Sequence, residues 1–137
     1  MTTPQDFVGH WTFVSSDNFD AYLKEVGVGL VARKMANTLK PTLDFTVNGD
    51  HWKMTTTSTF KTFAVEFDLG KEFEETTGDG RKMKSTFVFE NGKLIQTQKA
   101  MDKNGKDSTI ERSIENGQLV IVLQSGDVKA KRVYAKA

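Results

Sequence analysis

Residues 110–134, IERSIENGQLVIVLQSGDVKAKRVY, contain the most informative pattern in the chain. Asn116-Gly117 and Gly126-Asp127 separate three short segments. Apolar residues alternate with other residues in the first and third, and the middle one is rich in Val, Ile and Leu. Alternation of this kind is typical of a β-strand with one face toward a core. Asn-Gly favours the two-residue turn of a hairpin, because both residues tolerate positive φ. The stretch therefore predicts three consecutive antiparallel strands.

The same pattern of strands and turns extends back to Thr42. Further turn signals are Asn48-Gly49-Asp50, Gly70, Gly78-Asp79-Gly80, Asn91-Gly92 and Asn104-Gly105. The segment between Gly49 and Gly70 is long enough for two strands, with a break near Ser58-Thr59. Together with a strand at Phe7–Val14, this gives about ten strands. A sheet of that length leaves its edges exposed unless it closes, so we predict a mostly β, antiparallel up-and-down barrel.

The region between the first strand and Thr42 has helical spacing instead. One predicted helix carries Phe19, Tyr22, Leu23 and Val26 on one face, after possible N-caps at Ser16, Asp17 and Asn18 and before Gly27. A second predicted helix has an apolar face of Val28, Val31, Ala32, Met35, Ala36 and Leu39, and Pro41 ends it. We expect a helix-turn-helix pair over about residues 16–39, within a single domain of residues 1–137.

The composition excludes several classes of protein. A formal net charge of +1 argues against a nucleic-acid-binding protein. The chain lacks cysteine, and its two histidines, His10 and His51, have no neighbouring residues at metal-ligand spacing, so we predict no metal site. The sequence contains no recognisable catalytic nucleophile, which argues against an enzyme. No apolar run is long enough to span a membrane, so we expect a cytoplasmic protein.

Two arginines fall on strand faces that are otherwise apolar. Arg112 shares a face with Ile110 and Ile114, and Arg132 shares one with Ala130 and Tyr134. An arginine remains charged at biological pH, so an inward-facing one requires an anion or ordered water.

A ligand carboxylate would meet that requirement, because guanidinium binds carboxylate in a bidentate fork and the Tyr134 hydroxyl can donate as well. With an apolar interior, the ligand should be an acid with a long hydrocarbon body. The alternative is that both arginines lie near the barrel ends or pair with interior acids.

Blocks along the whole chain are similar to those of a known family. Phe7-Val8-Gly9-His10-Trp11, Asn18-Phe19-Asp20, Val26-Gly27-Val28-Gly29, Ser58-Thr59-Phe60-Lys61, Gly70-Lys71-Glu72-Phe73 and Asp79-Gly80-Arg81-Lys82 resemble the corresponding segments of the intracellular lipid-binding proteins, a calycin family. Among its members, the chain most resembles the heart, adipocyte and myelin type of fatty acid-binding protein. It departs from them by an apparent short insertion around Met101 to Lys106.

This resemblance implies a ten-stranded barrel (a β-clam) with a helix-turn-helix lid, and a soluble, cytoplasmic, monomeric carrier that transports and buffers long-chain fatty acids. No cofactor is implied. The family's two arginines and one tyrosine for the carboxylate correspond to Arg112, Arg132 and Tyr134. The positions implied to contact the tail are Phe19, Tyr22, Val28, Ala36, Pro41, Thr56, Ser58, Phe60, Asp79, Arg81, Ile110, Ile121 and Leu123. The turn with Phe60, the second helix and the Gly78-Asp79-Gly80 turn resemble the family's ligand portal.

Two other functions are compatible with the same architecture. A retinoic-acid-type carrier would also use arginines and a tyrosine, and a membrane-associated structural lipid-binding protein would require a more basic surface. Lys24, Arg33 and Lys34 on the helical pair are either an ordinary solvated face or a surface for transient contact with anionic membranes.

Overall fold

The computed structural model describes residues 2–137 and contains a short 3₁₀ turn, ten strands and two helices. The 3₁₀ turn spans Pro4–Phe7 and the helices are α1 (Phe19–Glu25) and α2 (Leu30–Thr38). The strands are β1 (Gly9–Asp17), β2 (Thr42–Asn48), β3 (His51–Thr57), β4 (Thr62–Asp68), β5 (Phe73–Thr76), β6 (Lys82–Glu90), β7 (Lys93–Ala100), β8 (Ser108–Glu115), β9 (Gln118–Ser125) and β10 (Val128–Lys136).

The ten strands form one antiparallel sheet in the order β4-β3-β2-β1-β10-β9-β8-β7-β6-β5. Strands adjacent in the chain are therefore adjacent in the sheet, and the pairing of β1 with β10 makes it a nearly closed barrel. The edge strands β4 and β5 are not hydrogen-bonded to each other in the ladder of residues 2–137. Aromatic rings bridge this gap, because Phe67 of β4 stacks on Phe87 of β6 with a centroid distance of 3.6 Å. The predicted fold class is confirmed.

Two of the predicted Asn-Gly turns have the expected backbone conformation. Asn91 and Gly92, between β6 and β7, have φ of 54° and 75°, and Asn116 and Gly117 have 52° and 76°. Positive φ at both central residues is the requirement of a type I′ hairpin.

The Asn104-Gly105 signal lies in a longer loop, residues 101–107. The carboxylate of Asp102 accepts a hydrogen bond from the backbone N–H of Asn104 at 3.0 Å, and that of Asp107 accepts one from Ala100 at 3.0 Å. A backbone hydrogen bond from Gly105 to the carbonyl of Asp102 at 2.9 Å closes a tight turn within this loop, and the two carboxylates add to it. The loop contains the apparent insertion.

The N-terminal boundaries differ from the predicted ones. The first strand starts at Gly9 and continues to Asp17, whereas Phe7 lies in the 3₁₀ turn. The pairing of β1 with β10 explains the longer strand, since Ser16 and Asp17 are opposite Arg132 and Lys131. The two helices lie within the predicted span of 16–39.

Three details of the helices were also not predicted. Asn18 is the N-cap of α1, but its side chain donates to the carbonyl of Lys129 on β10 at 2.9 Å instead of capping the helix. Val28 precedes α2 and is buried, although its spacing placed it on the face of that helix. Helix α2 itself has no buried residue within its span Leu30–Thr38.

Packing differs between the two ends of the barrel. At one end, rings from the 3₁₀ turn, β2 and β3 meet at centroid distances of 5.7–6.3 Å, as seen for Phe7, Phe45 and Trp52. These three side chains are at most 1% exposed. Edge-to-face packing of this kind adds to the stabilisation from buried area. The other end lies beneath the helices and contains the cavity described below.

Candidate functional site

An internal cavity of about 650 Å³ lies between the two helices and the inner face of the strands. Most of its wall is apolar, with contributions from Leu43, Met54, Val65, Ile110 and Leu123. The inward faces of alternating strands supply these side chains, so the strand period itself builds the wall. A concave apolar site with a few convergent polar groups is the usual form of a small-molecule site.

Arg132 on β10 is held at the cavity by aromatic and polar neighbours. Its guanidinium carbon lies 4.2 Å from the ring centroid of Phe19 and 4.9 Å from that of Phe13. Cation–π contact with both rings stabilises the charge in a site that is only 7% exposed. Its Nη1 donates to the Ser16 hydroxyl at 3.1 Å. Phe19 belongs to α1, so this arginine also connects the barrel to the helical pair.

Tyr134, two residues along the same strand face, completes this part of the site. Its hydroxyl accepts a hydrogen bond from Nη2 of Arg132 at 3.4 Å, and its ring packs edge-on against Phe13 at 5.7 Å. The hydroxyl proton remains able to point into the cavity, because the oxygen is the acceptor in the contact with arginine.

Arg112 on β8 is buried to 6% exposure but is much less satisfied than Arg132. Its Nε and Nη1 have no hydrogen-bond partner among the described residues. Burial lowers the pKa of Arg112 to about 10, while the negative charge of Glu75 and the nearby Tyr22 and Tyr134 act in the opposite direction. The group is still charged at neutral pH, and it directs unpaired donors into an apolar space.

Glu75 on β5 is an inward-facing carboxylate that the sequence did not reveal. Its Oε1 accepts hydrogen bonds from Ser85 Oγ at 2.5 Å, Gln96 Nε2 at 2.9 Å and Gln98 Nε2 at 3.2 Å. No Arg112–Glu75 contact lies within the 4.0 Å of an ion pair in residues 2–137. The interior therefore contains an acid, but neither arginine is paired with it among the described residues, whereas one of the alternatives had supposed such a pair. Gln96 and Gln98 share the inward face of β7 with Leu94. These two polar side chains on an inward face were the available sign of a polar group in the interior.

An ion pair lies where the cavity meets the β5–β6 turn. Arg81 donates to both carboxylate oxygens of Asp79, at 2.6 and 3.2 Å. Burial acts to lower the pKa of Arg81, but the hydrogen bond and charge of Asp79 outweigh it and raise the pKa. Four basic and two acidic side chains line the cavity, so its wall carries a positive excess: Lys61, Arg81, Arg112 and Arg132 against Glu75 and Asp79.

The β3–β4 turn lies against the β5–β6 turn at the same place. Lys61 Nζ donates to the carbonyl of Gly78 at 3.1 Å, and the ring of Phe63 occupies the space that a Cβ at Gly78 would need. Phe60, at the tip of the turn, is 62% exposed although it lines the cavity. These contacts surround the region that the resemblance identified as a portal.

The structure brings the predicted residues together in one place, with one exception. Arg112, Arg132 and Tyr134 all line the cavity. So do all the predicted tail positions except Val28, namely Phe19, Tyr22, Ala36, Pro41, Thr56, Ser58, Phe60, Asp79, Arg81, Ile110, Ile121 and Leu123. Val28 is buried in the connection between α1 and α2, and its carbonyl accepts a hydrogen bond from Arg33 instead.

The histidines and possible metal ligands lie elsewhere. His10 is exposed and lies 2.8 Å from Asp44, and His51 is exposed between Glu66 and Asp68. No group of three or more His, Cys, Asp or Glu side chains in residues 2–137 is arranged to hold a metal ion. Within the same range, no helix has the length and apolar character needed to cross a membrane.

Known proteins share both the sequence and the fold. Residues 8–137 match the model of the lipocalin / cytosolic fatty-acid binding protein family. Fatty acid-binding protein homolog 6 of Caenorhabditis elegans is 49% identical over 132 residues, which cover 96% of this chain and 98% of that protein.

Two solved structures are similar over nearly the full length. Apo lipid binding protein 8 of the same nematode superposes with a TM-score of 0.96 at 39% identity, over 100% of this chain and 99% of the other. A fatty acid binding protein of Schistosoma mansoni, in complex with arachidonic acid, has a TM-score of 0.89 at 37% identity and covers 96% of each chain.

Proposed function

Because the chain belongs to the lipocalin / cytosolic fatty-acid binding protein family, we propose that it is a cytoplasmic, monomeric carrier of long-chain fatty acids. Its family consists of carriers, not enzymes, so the bound acid would leave the cavity unchanged. The cavity of about 650 Å³ has room for an aliphatic chain, and the Schistosoma mansoni relative was solved with arachidonic acid.

The carboxylate would bind to Arg112, Arg132 and Tyr134. The observation that carries this assignment is the buried Arg112 guanidinium, whose Nε and Nη1 have no partner in residues 2–137. A carboxylate accepts two parallel N–H bonds from such a group and supplies the negative charge that the cavity wall lacks. Arg132 and Tyr134, already in contact at 3.4 Å, would supply further donors.

The hydrocarbon tail would occupy the apolar remainder of the cavity. Its neighbours would be the cavity-lining residues named above, from Phe19 on α1 to Leu123 on β9. Burial of apolar surface contributes about 25 cal/mol per Å², so the tail supplies most of the binding free energy and the carboxylate fixes the orientation.

Titration of a fluorescent fatty acid against single variants tests the carboxylate assignment. We expect Arg112→Gln and Arg132→Gln each to weaken binding at least about tenfold, since a hydrogen bond to a charged group is worth roughly 1.5–3 kcal/mol. Lys131→Gln is the matched control, because it removes the same charge from the exposed face of β10 beside Arg132. Unchanged affinity in both arginine variants would contradict the assignment.

The same titration separates the retinoic-acid alternative. A retinoic-acid carrier would prefer retinoic acid to fatty acids in competition, and solvent extraction of the purified protein followed by mass spectrometry would recover a retinoid.

Transient contact with anionic membranes is a further part of the proposal. Leu30, Val31 and Met35 of α2 are 58%, 79% and 40% exposed beside exposed Phe60, and Lys24 and Lys34 are exposed nearby. Arg33 supports the fold instead, since it donates to the carbonyl of Val28 at 2.7 Å and to Asp20 at 3.2 Å. We therefore restrict the contact to Lys24 and Lys34. Rates of fatty-acid transfer to vesicles measure it.

A further inference from the structure

The cavity contains a second polar cluster that the carboxylate assignment does not use. It consists of Glu75 on β5, Ser85 on β6, and Gln96 and Gln98 on β7. Gln96 and Gln98 are 1% and 2% exposed, and both line the cavity together with Glu75. Buried polar side chains of this kind are costly unless their hydrogen-bonding capacity is filled.

The geometry fixes the orientation of both amides. A carboxylate oxygen accepts hydrogen bonds, so each glutamine must turn its NH₂ group toward Glu75. Gln96 Nε2 and Gln98 Nε2 do so at 2.9 and 3.2 Å. The two carbonyl oxygens, Oε1 of Gln96 and Oε1 of Gln98, then lack a partner in the part of the chain that the structure describes. Two buried acceptors are thus left unfilled in residues that line the ligand cavity.

Unpaired donors lie on the neighbouring strand. Arg112 is opposite Leu94 in the β7–β8 ladder, and Gln96, two residues farther along β7, is opposite Ile110. Two residues correspond to about 7 Å along a strand, so the backbone of Gln96 lies about that far along the barrel from the level of Arg112. The Nε and Nη1 atoms of Arg112 are the unpaired donors.

The chemistry of the cluster selects among possible ligand groups. A second carboxylate would meet two carbonyl oxygens and the Glu75 charge, which disfavours it. An ammonium group would lie close to Arg112, which disfavours it as well. A neutral hydroxyl can donate to a glutamine oxygen without bringing a second charge beside Glu75 or Arg112, so it matches the unfilled acceptors.

We propose that Gln96 and Gln98 bind a hydroxyl group on the ligand chain, so that the cavity prefers hydroxylated long-chain fatty acids to the unsubstituted acids. The proposal rests on the proposed function, because the hydroxyl reaches the cluster only if the acid occupies the cavity. The offset of about 7 Å from the level of Arg112 places the preferred hydroxyl between the carboxyl group and the middle of the chain. A hydroxyl near the methyl end would lie outside the subsite.

Competition binding with stearic acid and a series of hydroxystearic acids tests this preference. The acids differ in the position of the hydroxyl, and each is measured against the same fluorescent fatty acid. We expect at least one member with the hydroxyl in the first half of the chain to bind roughly three- to tenfold more tightly than stearic acid, as one additional neutral hydrogen bond would produce. The readout is the ratio of the affinity for the hydroxystearic acid to that for stearic acid in the same protein. A change that weakens both acids equally leaves this ratio unchanged.

The variant Gln96→Met/Gln98→Met should bring that ratio close to one, because methionine has a similar shape but no amide oxygen. Thr97→Met is the matched control, since Thr97 lies between the two glutamines on the exposed face of β7, and the ratio should persist in it. A ratio that persists in the double variant would overturn the proposal.

A measurement on the unmodified protein covers the case in which the double variant fails to fold. The side-chain amide NMR signals of Gln96 and Gln98 should shift differently with the preferred hydroxystearic acid and with stearic acid. If stearic acid binds as tightly as every hydroxystearic acid, the inference fails while the proposed function stands. If no acid binds, the proposed function itself fails.

Discussion

Among individual residues, Arg112 and Arg132 are buried to nearly the same extent but are satisfied very differently. Arg132 has two aromatic rings, a serine hydroxyl and a tyrosine hydroxyl around its guanidinium. Arg112 has the ring of Phe87 at 5.6 Å and two unpaired nitrogen atoms. A buried charge with incomplete partners is retained at a cost to the free protein. We infer that Arg112 is kept for binding rather than for stability.

The variant Arg112→Met should separate these two roles. We expect the ligand-free variant to be as stable as the wild type or more stable by about 1–2 kcal/mol, because an apolar side chain of similar length removes the desolvation penalty. Fatty-acid affinity should fall in the same variant. Chemical denaturation without ligand measures the free energy of unfolding.

Leu94→Ala is a suitable reference for ordinary core packing, because Leu94 is fully buried opposite Arg112. It should destabilise the protein by roughly 2–5 kcal/mol. If Arg112→Met costs as much as Leu94→Ala, Arg112 is a structural residue and the inference is wrong.

The alternation of apolar and polar residues was sufficient to predict that Arg112, Arg132 and Tyr134 face inward, because each lies in a strand of eight or nine residues. Alternation did not predict that Glu75 faces inward, because β5 has only four residues, Phe73–Thr76, which are too few to define a period. Val28 was wrongly predicted to lie on the apolar face of α2. The helical spacing continues by chance across residues 26–29, which connect α1 to α2, and only the fold reveals the break.

At the level of elements, the two helices differ in how they are held. Helix α1 contacts the barrel through Phe19 on Arg132 and through the Tyr22 hydroxyl, which is hydrogen-bonded to Ser108 on β8. Helix α2 packs on α1 and has no buried residue in its own span. Elements with few buried contacts open most easily. Helix α2 and the β3–β4 turn are therefore the parts we expect to move when ligand passes.

The exposed apolar side chains of α2 beside Lys24 and Lys34 lead to a prediction about transfer. Each lysine near an anionic surface contributes about 1 kcal/mol of attraction, which salt screens. The variant Lys24→Gln/Lys34→Gln should therefore transfer fatty acid to anionic vesicles roughly fivefold or more slowly at low salt. Transfer to neutral vesicles should change little.

The variant Lys129→Gln/Lys131→Gln controls for net charge, since it removes the same two charges from the exposed wall of β10. Its transfer rate should remain close to that of the wild type. Equal slowing by both pairs, or no dependence on salt, would mean that the helices have no special role in membrane contact.

The spacing of apolar residues predicted both helices, but it did not indicate that the apolar face of α2 would remain exposed. A stripe of Val31, Met35 and neighbouring apolar residues indicates burial in most proteins, whereas here Val31 is 79% exposed at the cavity. The reason is that α2 packs on α1 and has few contacts with the strands in the part of the chain that the structure describes. Amphipathic spacing predicts which face of a helix is apolar, but it does not predict whether other side chains pack against that face.

For the molecule as a whole, stability and binding are separated along the barrel axis. The aromatic cluster around Trp52 closes one end, and the cavity occupies the other. The packed end supplies buried apolar area that the cavity of about 650 Å³ at the other end does not.

Most of this architecture was predictable, because regular turn signals about ten residues apart indicate a meander and long meanders close. The gap between β4 and β5 was not predictable, because alternation indicates which side chains share a strand face but not which strands are hydrogen-bonded to each other. The stacking of Phe67 on Phe87 across that gap depends on the closed three-dimensional arrangement.

We propose that a fatty-acid carboxylate binds, ionised, to Arg112, Arg132 and Tyr134. The most direct measurement is a pH titration by NMR of a bound fatty acid that carries carbon-13 in its carboxyl group. Charge-assisted hydrogen bonds to arginine favour the ionised form, so the signal should remain that of a carboxylate well below the ordinary carboxylic acid pKa of about 4–5. A bound carboxyl group that titrates at its ordinary pKa, as in solvent, would contradict the claim.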